Sequence, residues 1–475
     1  MKILLMTPTI TDEEKRPNII GLSKNKLWTK FRDKFGFAPG ITPSYGLLYI
    51  SASLKQAGHK TFYIDGNMYK IDTILECIKK EDIKVVGVSV LSFNWERAKH
   101  NIKQIKSLFP YITIVVGGIN ATYLKQACLE QSKAIDIVAY GEGEKSIVEL
   151  INRISENKTI DDLPGIIFRK NNKIIINKPY PTNMDLDKLP FPDIDVLAND
   201  MYKFRPAPMF YKGLPHASIF ASRGCPFKCS FCLSSPILRK RDPYKVVDEI
   251  EWYVKKYGIK SLTFYDETLT LNKKWLQIIC SEIIRRKIKI AWSANVRADC
   301  LNKEIIKIMR DSGCWQTLFG IETGVQKNLD KIAKGISLSQ IEDSVNLVHE
   351  NKVETLGMFM FGIPGETYYE GVQTIDFACK LPLDYAIFTN ITPFPGTQLY
   401  EEVKNERGFK NKQNLTPLQI NYIPSSMTEQ ELVRLLKLSY RRFYFRRKFI
   451  FKQISKIHNL EDLSKNIKGV IQLWS

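Results

Sequence analysis

Cysteine and histidine are scarce in this sequence, and long apolar runs are missing altogether. Nine cysteines in 475 residues exclude a disulfide-stapled scaffold, and a chain this long buries a core without staples. Six of them (Cys77, Cys128, Cys280, Cys300, Cys314 and Cys379) stand singly and read as buried small hydrophobes in a reducing compartment. No stretch approaches the ~18 apolar residues that a membrane helix needs. The opening "MKILLMTPTI" holds one lysine and four consecutive apolar residues, too few for a secretory core. A cytoplasmic protein is expected. Internal repeats and low-complexity tracts are absent as well. Acids are missing from residues 432–460, where nine Lys or Arg are interleaved with aromatics. With a net charge of +20, that excess fits an anionic partner such as a membrane surface, nucleic acid or phosphorylated substrate. It fits a Lys-, Ile- and Asn-rich composition equally well.

What is present begins with alternating elements. Over the first 150 residues, strand-like runs at 2–7, 60–65, 85–92, 113–118 and the start of 136–154 alternate with helical stretches at 45–59, 73–80, 96–109 and the end of 136–154. Five β-then-α units predict a doubly wound, Rossmann-like parallel α/β sheet, whose ligands sit at the carboxyl ends of the strands. The small or polar turns there are 89–91, 117–120 and 141–144. A hairpin is expected over 164–179, about Asn171 and Asn172, followed by a four-proline stretch at 179–193. A second series has candidate strands at 217–222, 261–266, 289–295, 315–321, 355–363 and 385–393, which predicts a partial (β/α)6 barrel. A C-terminal helix opens with a capping box, Thr428 and Glu431. The expected organisation is a sheet domain at 1–160, a hairpin and Pro-rich linker at 161–200, the barrel at 201–425, and a basic, aromatic helical region at 426–475.

The densest chemistry is "CPFKCSFC", which places Cys225, Cys229 and Cys232 as C-x3-C-x2-C directly after the first barrel strand. A structural zinc site wants four ligands, usually in two separated pairs. No second pair exists, and the five histidines (His59, His100, His216, His349, His458) are scattered. A 4Fe-4S cluster takes one Cys per iron. Three cysteines then leave one iron open to substrate, a catalytic arrangement.

This motif, with Phe231 just before its third cysteine and a β/α barrel around it, resembles the radical S-adenosylmethionine (SAM) superfamily. The resemblance implies that SAM chelates the open iron. One-electron reduction by an external donor then yields a 5′-deoxyadenosyl radical. It also implies SAM contacts from Phe231, from Asp266 and Glu267 after the second strand, from Ser293, Asn295 and Arg297 after the third, and from Glu322 after the fourth. The Gly-Gly-Glu wording usual after the second strand is absent. The turns 362–367 and 393–397 would lie over the adenosine.

Along nearly its full length the chain is similar to the radical SAM group with an N-terminal cobalamin-binding domain, which includes anaerobic porphyrin-ring cyclases and many methyltransferases. The carrying stretches are "SYGLLYISASLKQAGH", "GVSVLSFN", "VVGGINAT" and "AYGEGE". They imply cobalamin contacts from Ser89, Leu91, Gly117, Gly118, Asn120, Gly141 and Glu142. The Asp-x-His-x-x-Gly motif of mutase-type cobalamin domains is missing, so no histidine is offered as lower cobalt ligand. The expected activity is methylation of an unactivated carbon in a small-molecule or lipid-like substrate; the alternatives are radical cyclisation or oxidoreduction with the same cofactors, and a non-catalytic cobalamin module. RNA methylthiolation needs a second cluster on three N-terminal cysteines, and only Cys77 and Cys128 precede the linker, so nucleic acid is not an expected partner. The 9–43 insert, carrying Trp28, Phe31 and Phe35, is read as a cover for corrin or substrate. The basic tail is read first as a cap on the barrel and second as a membrane-surface contact.

Overall fold

Short β-branched runs between amphipathic segments build two compact units, one around the strand at Lys2–Met6 and residues 42–203, with 415 and 416, the other around residues 204–410 and from 417 onward. The computed structural model describes residues 1–9, 40–181, 184–410, 415–417, 419–447 and 449–451. Most of the 9–43 insert and everything beyond residue 451 lie outside the described residues.

In the first unit, β1 (Lys2–Met6), β2 (Lys60–Ile64), β3 (Val85–Ser89), β4 (Thr113–Gly117) and β5 (Ile137–Ala139) pair in parallel in the order β2-β1-β3-β4-β5. Side-chain alternation makes two cores. Ile3 and Leu5 pack with helices Tyr45–Gln56 and Gly143–Ser155, while Leu4 and Met6 pack with Ile71–Glu81 and Trp95–Leu108. The strand order reverses between β1 and β3, where ligands of such sheets bind.

The hairpin expected in the linker belongs to this sheet instead. Its strands β6 (Ile166–Lys170) and β7 (Lys173–Ile176) extend β5 in antiparallel register, Ile137 opposite Phe168. Buried Ile166, Ile167 and Phe168 cover the sheet edge that β5 would otherwise expose. The Pro-rich stretch is tied down too: Asp193 accepts from Ser51 Oγ at 2.5 Å and Lys55 Nζ at 2.9 Å.

The second unit carries β8 (His216–Ile219), a short hairpin of β9 (Ser222–Arg223) and β10 (Arg239–Lys240), then β11 (Ser261–Phe264), β12 (Ala291–Val296), β13 (Cys314–Glu322), β14 (Glu354–Phe361) and β15 (Tyr385–Asn390). Six strands form one parallel sheet in the order β8-β11-β12-β13-β14-β15, so each pairs with the strand of this sheet that follows it in the chain. The crossover helices start where caps allow. Asp242 caps Pro243–Tyr257 through the Tyr244 and Lys245 amides, Asn272 caps Lys273–Arg285, and capping boxes open Leu338–Glu350 and Tyr368–Lys380.

The C-terminal helix Glu429–Tyr444 opens on the expected Thr428–Glu431 box and covers β15, the edge strand. The Tyr440 hydroxyl accepts from Phe388 N–H at 3.2 Å and donates to Phe388 C=O at 3.0 Å. Tyr444 does the same at Ala386, at 3.2 and 2.7 Å. Phe443 is buried, whereas Phe445 and Phe451 are exposed. None of the described helices is long and apolar enough to cross a membrane.

The turn after β14 contains a titration consequence. Glu366 is buried; one carboxylate oxygen accepts from the Gly362 and Ile363 amides at 2.6 and 3.2 Å, and the other has no partner. Burial pushes this carboxyl up to about 8. Its stabilising contribution is therefore fully present below the unfolded value near 4.5 and lost as pH rises through about 8. At about 1.4 kcal/mol per pKa unit the loss is on the order of a few kcal/mol. Melting temperatures of the wild type should fall across this window, while Glu366→Gln should show a flatter profile.

Candidate active site

Three cysteines on one loop must be held by backbone geometry before they can act together. The loop hangs from the β9–β10 hairpin, with Ser222 opposite Lys240 and Arg223 opposite Arg239. Gly224 enters it at φ +88°, and a Cβ there would stand 2.2 Å from the Ile237 carbonyl oxygen, so only glycine fits. Cys225 N–H donates to Ser235 C=O at 2.8 Å, and Cys232 N–H to Cys229 C=O at 3.0 Å. Ser230 is pinned on both sides: its N–H donates to Ile332 C=O at 3.0 Å, and its C=O accepts from Leu399 N–H at 2.8 Å.

The Cys225 sulfur lies 3.9 Å from Thr268 Oγ1. Cys225 and Cys229 are half-buried and Cys232 is exposed, its sulfur accepting from Ser234 N–H at 3.4 Å. Burial pushes the thiols of Cys229 and Cys232 up, and each of the two also responds to charge on Cys225. The loop by itself thus keeps these two as thiols, and iron must displace the protons. Among the described residues, no three His, Cys, Asp or Glu side chains are gathered closely enough for a single metal ion. Thiolates on one zinc at ~2.3 Å would crowd within about 4 Å of one another. A four-iron cluster with one Cys per iron spreads them more widely. The donor set, three sulfurs on one short loop held by backbone hydrogen bonds, suits a cluster that takes one Cys per iron.

The other SAM candidates fall into two groups. Asp266 is buried, accepting from Ala221 N–H at 3.1 Å and Ser222 Oγ at 2.5 Å. Burial pushes its carboxyl up to about 7. Ser293 bonds Thr263 Oγ1 at 2.9 Å, and Asn295 donates to Asp266 C=O at 3.1 Å. These three brace strand ends. By contrast, Glu267 is exposed and accepts from Ser234 of the cysteine loop at 3.4 Å. Arg297 lies flat over Phe227, between Cys225 and Cys229 in the chain, at 3.6 Å from guanidinium to ring centre. Glu322, at the end of β13, has φ +69° beside a register shift and accepts from Lys334 Nζ at 2.7 Å. Non-glycine residues in this region are strained and concentrate at functional sites. Phe231 is half-buried on the loop. Sequence reasoning missed Lys334, Ser222 and Thr268, which no motif marks, and Phe227, which lies inside the cysteine motif but was given no role.

In the first unit, the cobalamin candidates share the carboxyl edge of β3, β4 and β5. Val90 N–H donates to Gly117 C=O at 2.8 Å and Asn120 N–H to Val90 C=O at 3.2 Å, joining the 89–91 and 117–120 turns. Leu91 and Ile119, with Phe93, are about 40% exposed in an apolar rim. Asn120 is buried and its side-chain N–H2 has no partner, while its oxygen accepts from Ser92 at 3.2 Å. Gly118 must be glycine for packing: at φ +97° a Cβ would meet the Val90 carbonyl at 2.8 Å. Gly141 is open on its free side, and its N–H donates to Thr122 Oγ1 at 3.0 Å. Glu142 is half-buried at the cap of Gly143–Ser155. An apolar rim with one orphaned buried donor suits a large, amide-rimmed macrocycle.

Comparison with known proteins agrees with this division. Residues 36–151 match the B12 binding domain, and residues 219–378 the Radical SAM superfamily. An uncharacterized methyltransferase of Pyrococcus horikoshii is 32% identical over 440 residues, spanning 91% of this chain and 94% of its own. The anaerobic magnesium-protoporphyrin IX monomethyl ester cyclase of Cereibacter sphaeroides is 28% identical, spanning 86% of this chain and 68% of its own. Two solved structures share the fold. The radical SAM methyltransferase TsrM from Kitasatospora setae, solved with cobalamin and a 4Fe-4S cluster, has a TM-score of 0.66 at 19% identity over 94% of this chain and 82% of its own. The cobalamin-dependent radical SAM enzyme OxsB, solved with aqua-cobalamin and SAM, has a TM-score of 0.72 at 17% identity over 98% of this chain and 70% of its own. With both domains in this order and a relative matched over almost its whole length, the chain belongs to the cobalamin-binding radical SAM family of enzymes.

Proposed function

We propose that Cys225, Cys229 and Cys232 hold the 4Fe-4S cluster, that SAM takes its open iron, and that the enzyme methylates an unactivated carbon of a small-molecule or lipid-like substrate. The carrying observation is that Cys225, Cys229 and Cys232 share one short loop fixed at the carboxyl end of β8 by the backbone hydrogen bonds of Cys225, Ser230 and Cys232. When bound, the cluster with SAM supplies a carbon-centred radical that takes hydrogen from substrate, and cobalamin supplies the methyl group. The protein's own residues orient and enclose these groups. Glu267 and Glu322 offer carboxylates beside the loop, and Arg297 holds Phe227 in place. Asp266 acts through Ala221 and Ser222, fixing the strand from which the loop departs. Ser89, Leu91, the 117–120 turn and Gly141 with Glu142 form the cobalamin edge. An external one-electron donor is required. The exposed Phe445, Ile450 and Phe451 beside Arg447 favour an anionic lipid surface as one source of substrate.

The test is anaerobic reconstitution followed by incubation with SAM, cobalamin and a strong reductant. Formation of 5′-deoxyadenosine together with S-adenosylhomocysteine supports methyl transfer. 5′-Deoxyadenosine without S-adenosylhomocysteine favours the cyclase or oxidoreductase alternative, and neither product overturns the proposal. Asn120→Ala should raise the corrinoid Kd about tenfold, the equivalent of one hydrogen bond at ~1.4 kcal/mol, measured by titrating corrinoid at equal protein. An unchanged Kd removes Asn120 from the site.

A further inference from the structure

The segment 332–335, between two helices of the barrel unit, touches the cysteine loop and its surroundings from three directions. Ile332 C=O accepts from Ser230 N–H at 3.0 Å, one residue after Cys229. The Arg297 guanidinium, stacked on Phe227 at 3.6 Å, donates to the carbonyls of Lys334 and Gly335 and, through Nε, to Asp299 at 2.8 Å. Lys334 Nζ reaches Glu322 at 2.7 Å, with both side chains little exposed, at 11% and 13%. The pair lies over the face of Gly320, where a Cβ would stand 2.5 Å from the Glu322 carboxylate and 2.9 Å from the Lys334 amine. Gly320 therefore leaves room for one buried ion pair beside the cysteine loop.

Resting on the reading that the three cysteines hold the cluster, we propose that Lys334 and Glu322 set the cluster's reduction potential, with Lys334 as a positioning residue that favours the reduced state and Glu322 opposing it. Reduction adds one electron and hence one negative charge to the cluster, so a nearby cation eases it and an anion hinders it. The effect is larger where water is excluded. Removing the charge of one member leaves the other's uncompensated beside the loop, where Ile332 C=O lies 3.0 Å from Ser230 N–H and Lys334 Nζ 2.7 Å from Glu322. Arg297 adds a second cation on the same side, its charge shared with the Phe227 ring.

The experiment is an anaerobic redox titration of the reconstituted cluster, followed by electron paramagnetic resonance without SAM, in wild type, Lys334→Met, Lys334→Arg and Glu322→Gln. Lys334→Met should shift the midpoint to more negative potential. Glu322→Gln, which keeps an acceptor for the amine, should shift it to more positive potential. Lys334→Arg should stay near wild type. A merely structural role predicts iron loss or shifts of one sign. Normal iron content with unmoved midpoints, or midpoints moving together, overturns the proposal. Should Lys334→Met load no iron, Glu322→Gln decides alone: a positive shift supports the proposal, and no shift or a negative one overturns it. Iron uptake indifferent to loss of the three cysteines would instead overturn the site reading, and the proposal with it.

Discussion

Replacing any one of Cys225, Cys229 or Cys232 by alanine should abolish reductive cleavage of SAM. The loss should exceed the roughly 10–100-fold that removing an outer partner costs a metal site. Each thiol is expected to serve one iron, so a single replacement opens a second iron and leaves two protein bonds to hold the cluster. Two measurements on the same anaerobic sample check this, iron per chain and 5′-deoxyadenosine after reduction. Wild type should hold about four irons, one per Cys ligand and one open. Cys77→Ala, in the other unit, should behave as wild type. Cleavage surviving in any of the three variants would sink the proposed site.

Gly224→Ala should cost most of the bound iron while leaving the barrel folded. This glycine sits at φ +88°, with the Ile237 carbonyl 2.2 Å and the Ser235 carbonyl 2.9 Å from where a Cβ would be. Neither obstacle is a flexible side-chain end, so backbone must move. The Ser235 carbonyl is also the acceptor for Cys225 N–H at 2.8 Å. Pushing it away unseats the first cysteine. Strain of this kind costs of order 1–3 kcal/mol, which a unit of this size absorbs, whereas a cluster site does not tolerate a displaced ligand. Circular dichroism should change little as iron content falls several-fold. Full iron content in Gly224→Ala would show that the loop relaxes without help from glycine.

How much of this was legible in the sequence depended on the range of the interaction. Strands of both sheets could be read because each is a local apolar run, and the cysteine loop because its spacing is local. The hairpin at 166–176 was legible as a hairpin but not as sheet edge, since its pairing with Ile137–Ala139 depends on β5 lacking a neighbour. Ser222 and Asp266 meet across 44 residues, and no periodicity announces such a brace. Lys334 looks like one more surface lysine among 70 basic residues; only the fold brings it to Glu322. At the cobalamin edge, the sequence shows Gly118 but not that its missing side chain makes room for the Val90 backbone.

The two tyrosine hydroxyls on β15 give the C-terminal helix a purpose separate from chemistry. Spaced four apart on the helix, they meet residues spaced two apart on the strand and return both polar groups at each. In effect the helix counterfeits a seventh strand. A chain clipped before residue 429 would keep its cysteine loop but present a bare ladder to every other copy in solution. Its failure would then show up as aggregation, in the insoluble fraction, before any turnover could be assayed.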